Sequence, residues 1–189
     1  MTAVRLVVCL ALAIPAFVHS SAPLTLAAII AYSAGDVADG QTARRLRQET
    51  RRGAVFDIVA DRVSGVAVIL ALTEVRPSMA APLLLFLVQF DVLDCILSLR
   101  FLHWPILSIN YFYLVHRGAY RWNWSPMAKD VNTASLVLLV AFVPSPACAT
   151  VFVIAVIMVK VGSLRALHRL AATSSEVSAA ARQPVRIIH

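Results

Sequence analysis

A chain of 189 residues with 60% hydrophobic and 14% charged residues, and a mean hydropathy of +0.79, is too apolar for a soluble or a disordered domain. Its length suits one membrane-embedded domain, and its formal net charge of +7 sits in particular loops, which points to membrane orientation and contact with anionic lipid or nucleotide, not nucleic acid. Cys9, Cys95 and Cys148 are isolated, without C-x-x-C spacing, which excludes a disulfide framework and a thiolate metal site.

In chain order the pattern predicts an all-α fold, a polytopic integral membrane bundle of six transmembrane helices. The first span is 3–18. Arg5 precedes an apolar run of the kind found in signal peptides, but His19-Ser20-Ser21-Ala22-Pro23 reads as a turn, and 3–18 is expected as a helix of the bundle. Spans at 24–46 and 53–73 follow, joined by a basic segment from Arg44 to Arg52. Thr73-Glu74-Val75-Arg76-Pro77 reads as a short exterior turn. The fourth span, 79–99, contains Gln89, Asp91 and Asp94. Residues 100–129 mix aromatic and basic side chains, as a headgroup layer does. The last two spans are 131–143 and 147–164, separated by Pro144-Ser145-Pro146. A transmembrane domain of residues 1–168 is then followed by a flexible cytoplasmic tail, 169–189. His103, His116 and His168 have no paired ligand spacing and read as interface residues.

Charge sets the orientation. Thirteen of the seventeen Lys and Arg fall in 44–52, in 100–129 and in the tail from Arg165. The alternate loops at 19–23, 74–78 and 144–146 hold only Arg76. Both termini are therefore expected in the cytoplasm.

Five of the ten acidic residues fall between Asp36 and Asp61, and four of the five are aspartates. Asp36, Asp39, Gly40 and Ala43 stand at i, i+3, i+4 and i+7, one face of a helix. Gly53, Asp57 and Asp61 stand at i, i+4 and i+8, again one face. A chain reversal near residue 48 puts Asp39 and Asp57 at one depth and Asp36 and Asp61 at another. Four carboxylates so close cannot all stay ionised unaided. One or two divalent cations would resolve the repulsion, and oxygen ligands suit Mg²⁺ or Mn²⁺. Acids at the edge of membrane helices are functional by default.

The pattern D-x-x-D-G-x-x-A-R-x₈-G-x-x-x-D-x-x-x-D, from Asp36 to Asp61, resembles the signature of the CDP-alcohol phosphotransferase (CDP-alcohol phosphatidyltransferase) family at all eight fixed positions. Asp61-Arg62-Val63-Ser64 and Gln89-Phe90-Asp91-Val92 are similar to the phosphatidylinositol synthase-like branch, although the D-x-x-S-H-W continuation of that branch is absent. Thr2 and Arg5 match the end of the family's P-N-x-x-T-x-x-R stretch, whose Pro-Asn part is missing here.

The resemblance implies transfer of a substituted phosphate from a CDP-linked donor to an alcohol, with release of CMP. It implies two Mg²⁺ or Mn²⁺ ions on Asp36, Asp39, Asp57 and Asp61, with Asp61 also the general base on the acceptor hydroxyl. Gly40, Arg44 and Thr50 would contact the cytidine diphosphate, and Thr50 reads equally as a capping residue for the third span. Arg45, Arg47, Arg51 and Arg52 read as orientation charges. The implied partners are CDP-diacylglycerol, a small alcohol and a second copy of the chain.

The acceptor side is less defined. An inositol-type alcohol is favoured over glycerol 3-phosphate, inositol phosphate, serine or a CDP-choline or CDP-ethanolamine reaction. Asp91, paired with Asp94 at i, i+3, is a candidate polyol ligand, or a structural group satisfied by Arg62 or Arg100. Arg117, Arg121 and Lys129 are candidates for an acceptor phosphate, or part of an interfacial belt. Two readings of other classes are a membrane cation transporter and an inactive scaffold. The clustering of charge at one face argues against the first, and the intact signature against the second.

Overall fold

The computed structural model describes residues 2–46, 48–128, 131, 137, 138, 140, 142 and 145–181, with the side chains of 43, 44 and 173–181 outside that description. The described residues form helices and connecting turns, with no strand. The helices are α1 (Thr2–Val18), α2 (Ala22–Arg45), α3 (Arg51–Val75), α4 (Ala80–Val88), α5 (Cys95–Leu99), α6 (Arg117–Asn123) and α7 (Pro146–Ala181). The predicted span at 131–143 falls mostly outside the described residues.

α1 packs along both α2 and α3. Its buried positions, Arg5, Cys9, Ala13 and Ala16, form one stripe. The small side chains of Cys9, Ala13 and Ala16, with Ala28 opposite on α2, allow close helix approach. Val4, Val7 and Ile14 face outward, as lipid-facing residues would. Ser20 adopts a left-handed backbone (φ 48°) where the chain reverses into α2.

The reversal expected near residue 48 is present between α2 and α3. Thr50 starts α3, accepting the Gly53 N–H at 3.0 Å. Pro77 follows its C-terminus, where it cannot extend the helical hydrogen bonding.

The predicted fourth span is helical from 77 to 103 but not uniformly α. A short 3₁₀ turn leads into α4, a π-helical turn spans Gln89–Asp94, and α5 runs into a second 3₁₀ turn. The π turn carries Phe90 over Gly65 of α3, where a β-carbon would lie 2.6 Å from the Phe90 ring. α7 continues past the predicted end at 164 to Ala181, through an Ala- and Leu-rich stretch without Pro or Gly.

Pro77–His103 and Pro146–Ala172, each 27 residues with mean hydropathies of 2.0 and 2.3, are long and apolar enough to cross a membrane. The Thr2–Val18 helix is apolar but shorter. α2 and α3 are long but fall below that apolarity, because they carry the carboxylates and arginines of the cluster. Among the described residues, hydropathy thus marks two clear spans and does not confirm the predicted six.

Candidate active site

Antiparallel α2 and α3 bring their acidic faces together beneath the turn. Carboxylate oxygens of Asp36, Asp57 and Asp61 lie within 4.8 Å of one another. Asp39 is not part of this trio. It is tied to it through α1, because its Oδ2 faces Arg5 Nε at 3.5 Å.

Arg5 is the centre of the group. Its Nη1 donates to Asp36 Oδ1 at 2.9 Å, and its Nη2 lies 2.9 Å from both Asp57 Oδ1 and Asp61 Oδ1. The arginine side chain is 2% exposed, whereas those of Asp36 and Asp57 are each 39% exposed. Gly35 makes room for its stem. Four carboxylates around one guanidinium leave the cluster strongly negative. Further positive charge is needed to keep it ionised. Three converging hard oxygen donors on an acidic wall fit a divalent cation of the Mg²⁺ or Mn²⁺ kind.

The cluster lines a cavity of about 630 Å³. Gln48, Glu49 and Thr50 line its wall at the α2–α3 turn, and Gly40 lies beside Asp36 and Asp39. Ser98, Ser108, Asn110, Asn123 and Trp124 contribute an uncharged polar wall. Val68, Ile69, Leu72, Phe86 and Leu138 contribute an apolar one. Thr50 caps α3 and also lines the cavity. The side chain of Arg44 lies outside the described residues.

A second ionic group lies deeper. Asp94 Oδ2 accepts from Arg62 Nη2 at 2.8 Å, and Asp94 Oδ1 from Lys160 Nζ of α7. Arg62 also donates to the Phe90 carbonyl at 3.0 Å and lies 3.8 Å from the Phe90 ring centroid. Of the Asp91/Asp94 pair it is thus Asp94 that has structural partners, with Lys160 in place of Arg100. Asp91 feels the charge of Arg62 but has no hydrogen bond to this network among the described residues, and it is not among the residues lining the cavity. Arg117 and Arg121 are exposed on α6 and do not reach the cavity wall either. Lys129 lies outside the described residues. His116 caps α6 by accepting the Ala119 N–H at 2.9 Å.

The loop after α5 is fastened to the start of α3. Arg51 Nη2 donates to the Leu102 and Trp104 carbonyls at 2.7 and 3.3 Å, and Tyr111 Oη donates to Glu49 at 2.5 Å. Arg51, read from sequence as an orientation charge, thus also holds this loop. Sequence reasoning missed the roles of Gly35 and Lys160. A lone lysine inside the apolar run Ile157-Met158-Val159-Lys160-Val161 was a signal for the latter.

The family model described as CDP-alcohol phosphatidyltransferase matches residues 1–161. No curated protein and no solved structure matches the chain significantly.

Proposed function

The chain belongs to the CDP-alcohol phosphatidyltransferase family, and from this we propose that it moves the phosphatidyl group of CDP-diacylglycerol to a small alcohol of the inositol type, releasing CMP. The observation that carries the reading is the convergence of Asp36, Asp57 and Asp61 on the wall of a cavity that is polar on one side and apolar on another. Such a cavity suits an amphiphile with a charged head and acyl tails.

In this reading Asp36, Asp39, Asp57 and Asp61 hold two Mg²⁺ or Mn²⁺ ions. When bound, the ions neutralise the pyrophosphate and polarise its phosphoryl oxygens. Gly40, lacking a side chain, lets the diphosphate approach α2, and Arg44 and Thr50 contact the cytidine diphosphate. Asp61 takes the proton of the acceptor hydroxyl as that oxygen bonds to the phosphatidyl phosphorus. The bond from that phosphorus to the CMP oxygen breaks, and CMP leaves with the electron pair. The Lys and Arg distribution supports a multi-pass protein with both termini and the carboxylates toward the cytoplasm.

The test is CMP release from CDP-diacylglycerol by membranes containing the protein. Inositol, inositol phosphate, glycerol 3-phosphate and serine are supplied singly. Release with one acceptor, abolished by a chelator and restored by Mg²⁺ or Mn²⁺, is expected. Silence with all four, and with CDP-choline and CDP-ethanolamine as donors, would remove the transferase reading in favour of a transporter or scaffold.

A further inference from the structure

We propose that the acceptor is seated by Ser98, Ser108, Asn110, Asn123 and Trp124, and that this seat selects an uncharged polyol. The proposal rests on the transferase reading and adds the acceptor's chemical class and its ligands.

Among the described residues, Ser108 Oγ and Asn123 Oδ1 are both buried without a hydrogen-bond partner, in residues 7% and 5% exposed that line the cavity. Buried polar atoms almost always have a partner, so two orphans on one wall mark where a ligand bonds. The amide of Asn123 is held in place, because Nδ2 donates to the Ala119 carbonyl at 2.8 Å and to Ser163 Oγ at 2.7 Å. Its Oδ1 is therefore presented in a fixed direction as an acceptor for a hydroxyl. Ser108 can both donate and accept. Ser98 Oγ accepts from Trp124 Nε1 at 3.4 Å, which fixes the indole beside them.

The charges of the described residues offer no free cation for a phosphate at this end. Among its described lining residues the cations are Arg62 and Lys160, and Asp94 engages both. A phosphorylated acceptor needs an uncommitted guanidinium or ammonium. A ring of hydroxyls needs only the mixed donors and acceptors found here. The seat and the carboxylates line the same cavity. Trp124 packs in one core cluster with Ile58, which follows Asp57 on α3.

Ser108→Ala tests the seat, because it removes a hydroxyl that makes no bond within the protein. The expected result is a KM for myo-inositol raised about three- to tenfold. The KM for CDP-diacylglycerol and the thermal midpoint in detergent stay unchanged. An unaltered KM for inositol overturns the seat. CMP release with glycerol 3-phosphate or inositol phosphate but not with inositol overturns it too, while leaving the transferase reading intact. If no acceptor gives CMP, the transferase reading falls, and equilibrium binding of radiolabelled inositol to the purified protein decides. Equal binding by Ser108→Ala and the parent chain then overturns the seat, and weaker binding upholds it as a polyol site but not as an acceptor site.

Discussion

A β-carbon on residue 35 would lie 2.5 Å from Cγ of Arg5, so Gly35 is the slot through which the arginine stem reaches the carboxylates. Alanine is the better helix former by about 0.5–1 kcal/mol. Displacing a buried guanidinium from its carboxylate partners costs more, about 3–5 kcal/mol. Gly35→Ala is therefore expected to lower the thermal midpoint in detergent. A higher midpoint would mean that Arg5 contributes little to holding α1 against α2 and α3.

Asp61 sits in the trio and one turn beyond Asp57. Asp61→Asn keeps the shape and a neutral hydrogen-bonding group but removes the proposed base. CMP release is expected to fall about 10²- to 10⁴-fold, the range of a lost general base. Membrane insertion, followed by fractionation, should not change. Near-normal turnover would reassign the base.

The deeper ionic group makes an asymmetric prediction. Asp94→Ala leaves Arg62 and Lys160 facing each other without their shared anion, and is expected to cost about 3–5 kcal/mol. Lys160→Met leaves Asp94 still paired with Arg62, and should cost clearly less. Thermal midpoints of the two variants in the same detergent measure the difference, and equal losses would contradict the arrangement.

Thr50 separates capping from substrate contact. Thr50→Ala is expected to lose about 1 kcal/mol, the usual worth of an N-cap. Thr50→Ser should recover that stability. A KM for CDP-diacylglycerol that stays raised in the serine variant would assign a substrate role to the threonine methyl group.

Much of this site was legible because the i, i+3 and i, i+4 spacings on α2 and α3 determine which side chains share a face. A reversal near residue 48 then followed from the basic turn. The convergence of Asp36, Asp57 and Asp61 follows from those two facts. The place of Arg5 did not, because the lateral packing of α1 depends on Gly35, Ala13, Ala16 and Ala28, whose smallness leaves no periodic signature. The second partner of Asp94 was equally hidden, since Lys160 lies sixty-six positions away and no local rule links them. The π turn at Gln89–Asp94 is set by tertiary contact with Gly65 and Arg62, which local propensity does not register.

The last helix, α7, has 36 residues, which at about 1.5 Å each spans roughly 54 Å, well beyond a hydrocarbon layer of about 30 Å. Two features set its depth. Lys160 is fastened to Asp94 inside the bundle, and Arg165 and Arg169 follow in the next turns. A slide of one turn, about 5.4 Å, would either tear the lysine from its anion or draw an arginine into oil. The helix thus works as a depth gauge with a single mark. A thicker or thinner bilayer has to be met by tilt of the whole bundle or by yielding lipid, because α7 cannot be reset on its own.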